Sequence, residues 1–113
     1  MKKVFYVESD QLMRIALERI LKDSDWEIYT LESMSDFDFR FEDFKPDLLM
    51  LDLTLFVEEP LQIDKDIVVV YVGFRDTIDK SVWITENTKV IEKPFAATKI
   101  ESVINLFLEG HEA

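Results

Sequence analysis

Two stretches of the chain are apolar without a break, and each stops at a residue foreign to a hydrophobic core. Leu48-Leu49-Met50-Leu51 runs into Asp52, and Ile67-Val68-Val69-Val70-Tyr71-Val72 runs into Gly73. A strand with one wet face alternates apolar and polar residues, so an unbroken run demands cover on both faces. That is the place of a central strand in a parallel sheet, with further layers packed above and below it.

The rest of the chain supplies those layers. Val4 to Val7 is a third β-prone run, followed by Glu8-Ser9-Asp10, a helix N-cap region. Met13, Ala16, Leu17, Ile20 and Leu21 recur at helical spacing and predict a helix over residues 10–23. Glu27 to Leu31 and Lys89 to Glu92 are shorter strand candidates. Phe37 to Phe44 fits either period, but a helix between two strands places Phe37, Phe41 and Phe44 on one stripe, with Ser35 or Asp36 as its cap. Phe39 then falls off the stripe, as a ring at the core's edge or an aromatic for a partner. Ile78, Val82 and Trp83 suggest a short helix between Asp76 and Asn87. Ile100, Val103, Ile104, Phe107 and Leu108 predict a C-terminal helix ending near Gly110. Trp26 and Trp83 read as core or half-buried rings. Strands thus alternate with helices, which implies an α/β three-layer domain with right-handed crossovers. The connection from Leu53 to Asp66, with Glu58, Glu59 and Pro60, has room for one or two helical turns at most.

Composition removes whole classes of function. At 113 residues, with 48% hydrophobic, the chain (1–113) makes a single domain able to bury a core without staples. It has no cysteine and one histidine, His111, which excludes thiol chemistry, His-pair metal sites and a Ser-His-Asp triad. A net charge of −11 repels phosphate backbones and anionic lipid, so no nucleic acid and no membrane is expected as a partner. The apolar run after Lys2-Lys3 ends at Glu8, too early for a secretory signal, and a cytoplasmic protein is the expectation.

In an open parallel sheet, ligands bind beyond the carboxyl ends of the strands. Glu8, Ser9 and Asp10 stand there after the first strand, Asp52 after the third, Val72 and Gly73 after the fourth, and Lys93 after the fifth. Converging carboxylates repel, so the pocket needs an ammonium, a hard divalent ion such as Mg²⁺ or Mn²⁺, or both. On that basis Asp52→Ala is expected to raise thermal stability and Lys93→Ala to lower it. Glu8 and Asp10 have a competing use as helix caps. Without a glycine-rich loop after the first strand, a flavin or nucleotide phosphate has no cradle.

Those motifs carry a family resemblance. Lys3-Val4-Phe5-Tyr6-Val7-Glu8-Ser9-Asp10, Pro46-Asp47-Leu48-Leu49-Met50-Leu51-Asp52-Leu53 and Val90-Ile91-Glu92-Lys93-Pro94-Phe95 together resemble a response-regulator receiver domain, over essentially the whole chain. The resemblance implies a CheY-like, flavodoxin-like fold with five parallel strands in the order 2-1-3-4-5, the order given for CheY itself. It makes Asp52 the phosphoacceptor and Lys93 its pairing lysine, with Pro94 following through a commonly cis bond. It assigns Mg²⁺ to Glu8, Asp10, Asp52 and the Thr54 backbone carbonyl. A histidine kinase or phosphotransfer protein would supply the phosphoryl group, and a downstream protein would read it; a homodimer is also compatible. Beyond self-phosphorylation and dephosphorylation at Asp52, no enzyme activity is implied.

The departures are specific. Ser9 takes the second acidic position and weakens Mg²⁺ binding. Val72 or Gly73 stands where a receiver places a phosphate-binding Ser or Thr, and Val90 where a switch Tyr or Phe is usual. Asp52 and Lys93 are 41 positions apart (93 minus 52), so the third and fourth helices are expected to be shortened. The alternative to a phosphoaccepting receiver is therefore a pseudo-receiver, an interaction module that signals without phosphorylation.

Overall fold

The computed structural model describes residues 2–63, 66–95, 100 and 102–106. Five parallel strands form one sheet: β1 (Lys2–Val7), β2 (Trp26–Leu31), β3 (Leu48–Asp52), β4 (Val68–Gly73) and β5 (Val90–Glu92). Their order is β2-β1-β3-β4-β5, as the motifs imply. The unbroken apolar runs are the inner strands. Every residue of β3 is buried, as are the last four of β1. Registers Val7↔Leu51 and Asp52↔Val72 bring the carboxyl ends of β1, β3 and β4 to one level.

Because strand side chains alternate, the two faces hold two cores. Val4, Tyr6, Leu48, Met50, Val70 and Val72 meet Leu17 and Leu21 of α1 (Gln11–Leu21), together with Ile100 and Ile104. Phe5, Val7, Leu49, Leu51 and Tyr71 form the second core with Phe37 of α2 (Phe37–Phe44). Phe5 is the hub there. Its ring lies 5.3 Å from Tyr29, 5.6 Å from Phe37, and 6.0 Å from both Phe41 and Phe44. The helical choice for residues 37–44 follows from this stripe, and Phe39 is left 69% exposed.

Several expected details shift. β2 begins at Trp26, whose ring is buried in the first core. Asp36 sits at the N-cap of α2 without a side-chain cap bond, and the helix ends on Lys45 in the left-handed region, φ 53°. The short helix before β5 is α3 (Arg75–Lys80), and Val82 is 90% exposed instead of packing on it. α3 ends at Ser81, where the backbone leaves the helical region at φ −90° and ψ 88° and the hydroxyl donates to the Thr77 carbonyl at 2.9 Å. Residues 102–106 are helical, as predicted, while Phe107, Leu108, Gly110 and His111 lie outside the described residues.

The connection after β3 is the largest reduction. Its described residues hold one 3-10 turn, Leu53–Leu55, and then irregular chain lying over the second core through Phe56, Leu61 and Ile63. Two aromatic residues tether it. Leu61 N–H donates to the Tyr71 hydroxyl at 2.9 Å, and the Trp83 indole N–H donates to the carbonyls of Phe56 and Val57, each at 3.0 Å. No helix among the described residues is long and apolar enough to cross a membrane.

Candidate functional site

The carboxyl ends of the strands gather three charged side chains that are almost wholly buried. Glu8 follows Tyr6 by two residues, so both leave the same face of the sheet. The Tyr6 hydroxyl donates to Glu8 Oε1 at 2.6 Å, and the Asp10 N–H donates to Oε2 at 3.1 Å. Asp52, at 1% exposure, ends β3 and caps the turn behind it. Its Oδ1 accepts from the Thr54 N–H at 3.0 Å and the Thr54 hydroxyl at 2.8 Å. Its Oδ2 accepts from the Ser9 N–H at 3.2 Å and the Ser9 hydroxyl at 2.7 Å. Lys93, 6% exposed, is fixed by its N–H on the Gly73 carbonyl at 2.8 Å. Its ammonium reaches Glu8 Oε1 at 2.5 Å and Asp52 Oδ1 at 3.6 Å. The Lys93-Pro94 bond is cis.

Two carboxylates face one ammonium, and their proton affinities split accordingly. Burial, then the Asp52 carboxylate beside it, push the Glu8 carboxyl above the usual glutamate range, against the pull of Lys93, Tyr6 and the Asp10 N–H. Burial raises Asp52 too, but the hydrogen bonds from Glu8, Ser9 and Thr54 outweigh it and hold Asp52 well below the usual aspartate range. Tyr6 is pushed up, first by burial and then by Glu8, and stays a donor. The pair thus relieves its own repulsion by keeping a proton on Glu8 to higher pH, while Asp52 holds the charge.

Glu8, Ser9, Asp52 and Lys93 come together as the strand-end rule expects, with Thr54 beside them. Asp10 does not join the carboxylates. Its side chain caps α1 by accepting the Leu12 N–H at 2.9 Å, so two acids converge where three were expected. Val72 is buried in the core and Gly73 closes β4. Neither offers a hydroxyl, and a Cβ at Gly73 would lie 2.9 Å from Leu53 Cβ. Leu53 fills the space that a Ser or Thr would need. Val90 packs with Tyr71 in the second core.

Four participants escaped the sequence reading of the site. Tyr6 is betrayed only by its period-two relation to Glu8. The Phe74 ring lies 5.5 Å from the Lys93 ammonium and covers it from outside. Arg14 holds the Glu8 carbonyl from α1, and Leu53 blocks the hydroxyl position.

With this geometry in view, comparison with known proteins is informative on fold alone. No protein-family model matches the sequence, and no curated protein matches it. Solved structures do. A receiver domain from Clostridium thermocellum aligns at TM-score 0.70 with 15% identity, covering 99% of this chain and 98% of that one. A signal receiver domain of a response regulator from Bermanella marisrubri aligns at TM-score 0.70 with 22% identity, covering 94% and 97%. A receiver-modulated diguanylate cyclase structure from Pelobacter carbinolicus gives 0.73 with 18% identity, covering 99% and 96%. The chain has the receiver-domain fold.

The receiver fold raises the question of Mg²⁺, and the donor set answers it. Each oxygen of Glu8 and Asp52 already accepts from a protein donor. Ser9 brings a hydroxyl where an acidic ligand is wanted, and Asp10 is spent on its helix. Among the described residues no three Asp, Glu, His or Cys side chains form a metal-holding group, and no buried side-chain nitrogen or oxygen lacks a partner. A divalent ion would have to strip hydrogen bonds from this network to enter, so the residues as arranged do not fit it.

Proposed function

We propose that this chain is a pseudo-receiver: a receiver-fold module that binds a protein partner and signals without phosphorylation. The observation that carries the reading is Asp52 itself, 1% exposed with both carboxylate oxygens taken by Ser9 and Thr54. A nucleophile toward phosphorus needs a free lone pair, a cation on the incoming oxygens and donors for the developing charge. Here the lone pairs are occupied and Lys93 is drawn to Glu8. The blocked position at Gly73 withholds a phosphate ligand. Kept in this form, the cluster acts as a structural clamp joining β1, β3 and β5. No catalysis is assigned to it, and a cytoplasmic setting goes with the reading.

The phosphoacceptor role has one observation on its side, the Asp52–Lys93 approach at 3.6 Å. It requires Ser9 and Thr54 to release the carboxylate. Incubation with acetyl phosphate and Mg²⁺, followed by intact-protein mass spectrometry, separates the two. The expected result is no phosphoryl adduct. An adduct that disappears in Asp52→Asn overturns the pseudo-receiver reading.

A further inference from the structure

The shortened connection after β3 leaves an opening on the flank of the domain. Two cavities of about 560 and 500 Å³ adjoin there. The first lies within residues 54–62, the second between α2 and residues 61–63, and they share Leu61 and Gln62 as a common wall. Together they make a trough over the second core. Its apolar surface includes Phe37, Phe41, Phe56 and Ile63, with Leu55 and Phe39 as the exposed members.

The charge of this trough is one-sided. Asp38, Glu42, Glu58 and Glu59 line it, and among the described residues no Lys or Arg lines it. Phe39 already shows what its ring can hold, because the Arg40 guanidinium lies 5.3 Å from its centroid. An apolar floor under a carboxylate rim selects against anions and against a second copy of a chain carrying −11.

We infer that this trough docks a basic segment of a partner protein, whose Lys or Arg side chains meet Asp38, Glu42, Glu58 and Glu59 while its apolar side chains pack against Phe39 and Leu55. The inference rests on the interaction-module reading and names its surface and the chemistry of its partner. Aromatic anchors ringed by charge concentrate binding energy in few residues, so single substitutions should be decisive.

The test uses a fluorescein-labelled amphipathic peptide of leucine and lysine, and its leucine-glutamate counterpart, titrated with the full chain by anisotropy. The lysine peptide should bind and the glutamate peptide should not. Phe39→Ala, an exposed position, should melt with the parent protein and weaken binding about tenfold. Asp38→Lys with Glu42→Lys should weaken it by at least about tenfold. The control pair Asp23→Lys and Asp25→Lys makes the same change in net charge outside the trough, and should leave most of the affinity. Equal losses in the two charge-reversed pairs overturn the proposal, since net charge alone would then explain binding. So do peptide-induced amide shifts outside residues 37–42 and 54–63, or self-association that Phe39→Ala abolishes. A phosphoryl adduct on Asp52 would sink the pseudo-receiver reading without moving these affinities, and loss of peptide binding would leave the mass spectrum unchanged.

Discussion

The strand-end cluster and the flank trough lie on either side of the same turn, Leu53–Leu55, yet they solve opposite problems. At the strand ends, charged groups are buried and every one is answered from within the chain. On the flank, carboxylates and aromatic rings stand together, and among the described residues no Lys or Arg lines the trough. Thr54 belongs to both, its hydroxyl on Asp52 and its backbone at the trough's edge. A closed polar network is good for holding strands together and poor for reacting. An open apolar trough is good for recognition and contributes little to stability. The proposed docking surface therefore sits along the connection after β3, away from the strand ends.

Breaking that contrast begins with Lys93→Ala. Removing the ammonium leaves Glu8 and Asp52 buried without a cation, and unfolding free energy should fall by about 3–5 kcal/mol in urea titration. A neutral result would mean that the cluster is wet and not closed. Asp52→Ala comes next. It orphans the donors of Ser9 and Thr54 and should cost about 1–3 kcal/mol. This reverses the sign expected from the sequence, where convergent acids promised relief on removal; a raised melting temperature would restore the repulsion picture. Trp83→Phe keeps the ring but drops the N–H held by two loop carbonyls. A loss of about 1 kcal/mol, with faster amide exchange at residues 56–61, would tie the trough's shape to that indole.

The finest probe is pH. Asp52 has a depressed pKa, so its stabilisation is present above the ordinary aspartate value and is lost as pH falls through the folded one. Glu8 has a raised pKa; its stabilisation is present below the ordinary glutamate value and is lost as pH rises through the folded one. Melting temperature should therefore decline as pH rises above the ordinary glutamate value in the parent protein and stay flatter in Glu8→Gln. Parallel curves would show that Glu8 is not the group that titrates.

The fold was legible where burial wrote a simple pattern. Unbroken apolar runs located β1, β3 and β4, and the Phe37-Phe41-Phe44 stripe resolved α2 because three rings had to reach Phe5. Local chemistry was harder to read. Asp10 had two plausible uses, and the helix N-terminus won because the Leu12 N–H lies two residues on. Val82 matched a helical period that Ser81 ends. The Tyr6–Glu8 bond and the Leu53 contact with Gly73 depend on which face of a strand a side chain leaves, at distances of a few ångströms that no spacing rule records. The trough was the least visible, since it is walled in part by chain that, among the described residues, follows no helical or strand period.

The meeting of Leu53 and Gly73 also bears on how such a chain can change over generations. Adding a hydroxyl side chain at 73 first drives it into Leu53 Cβ, 2.9 Å away; shrinking Leu53 first opens a hole in a fully buried spot. Either opening step is penalised before the second can reward it. Placing a hydroxyl at this strand end therefore needs paired changes, which makes this small interlock a ratchet.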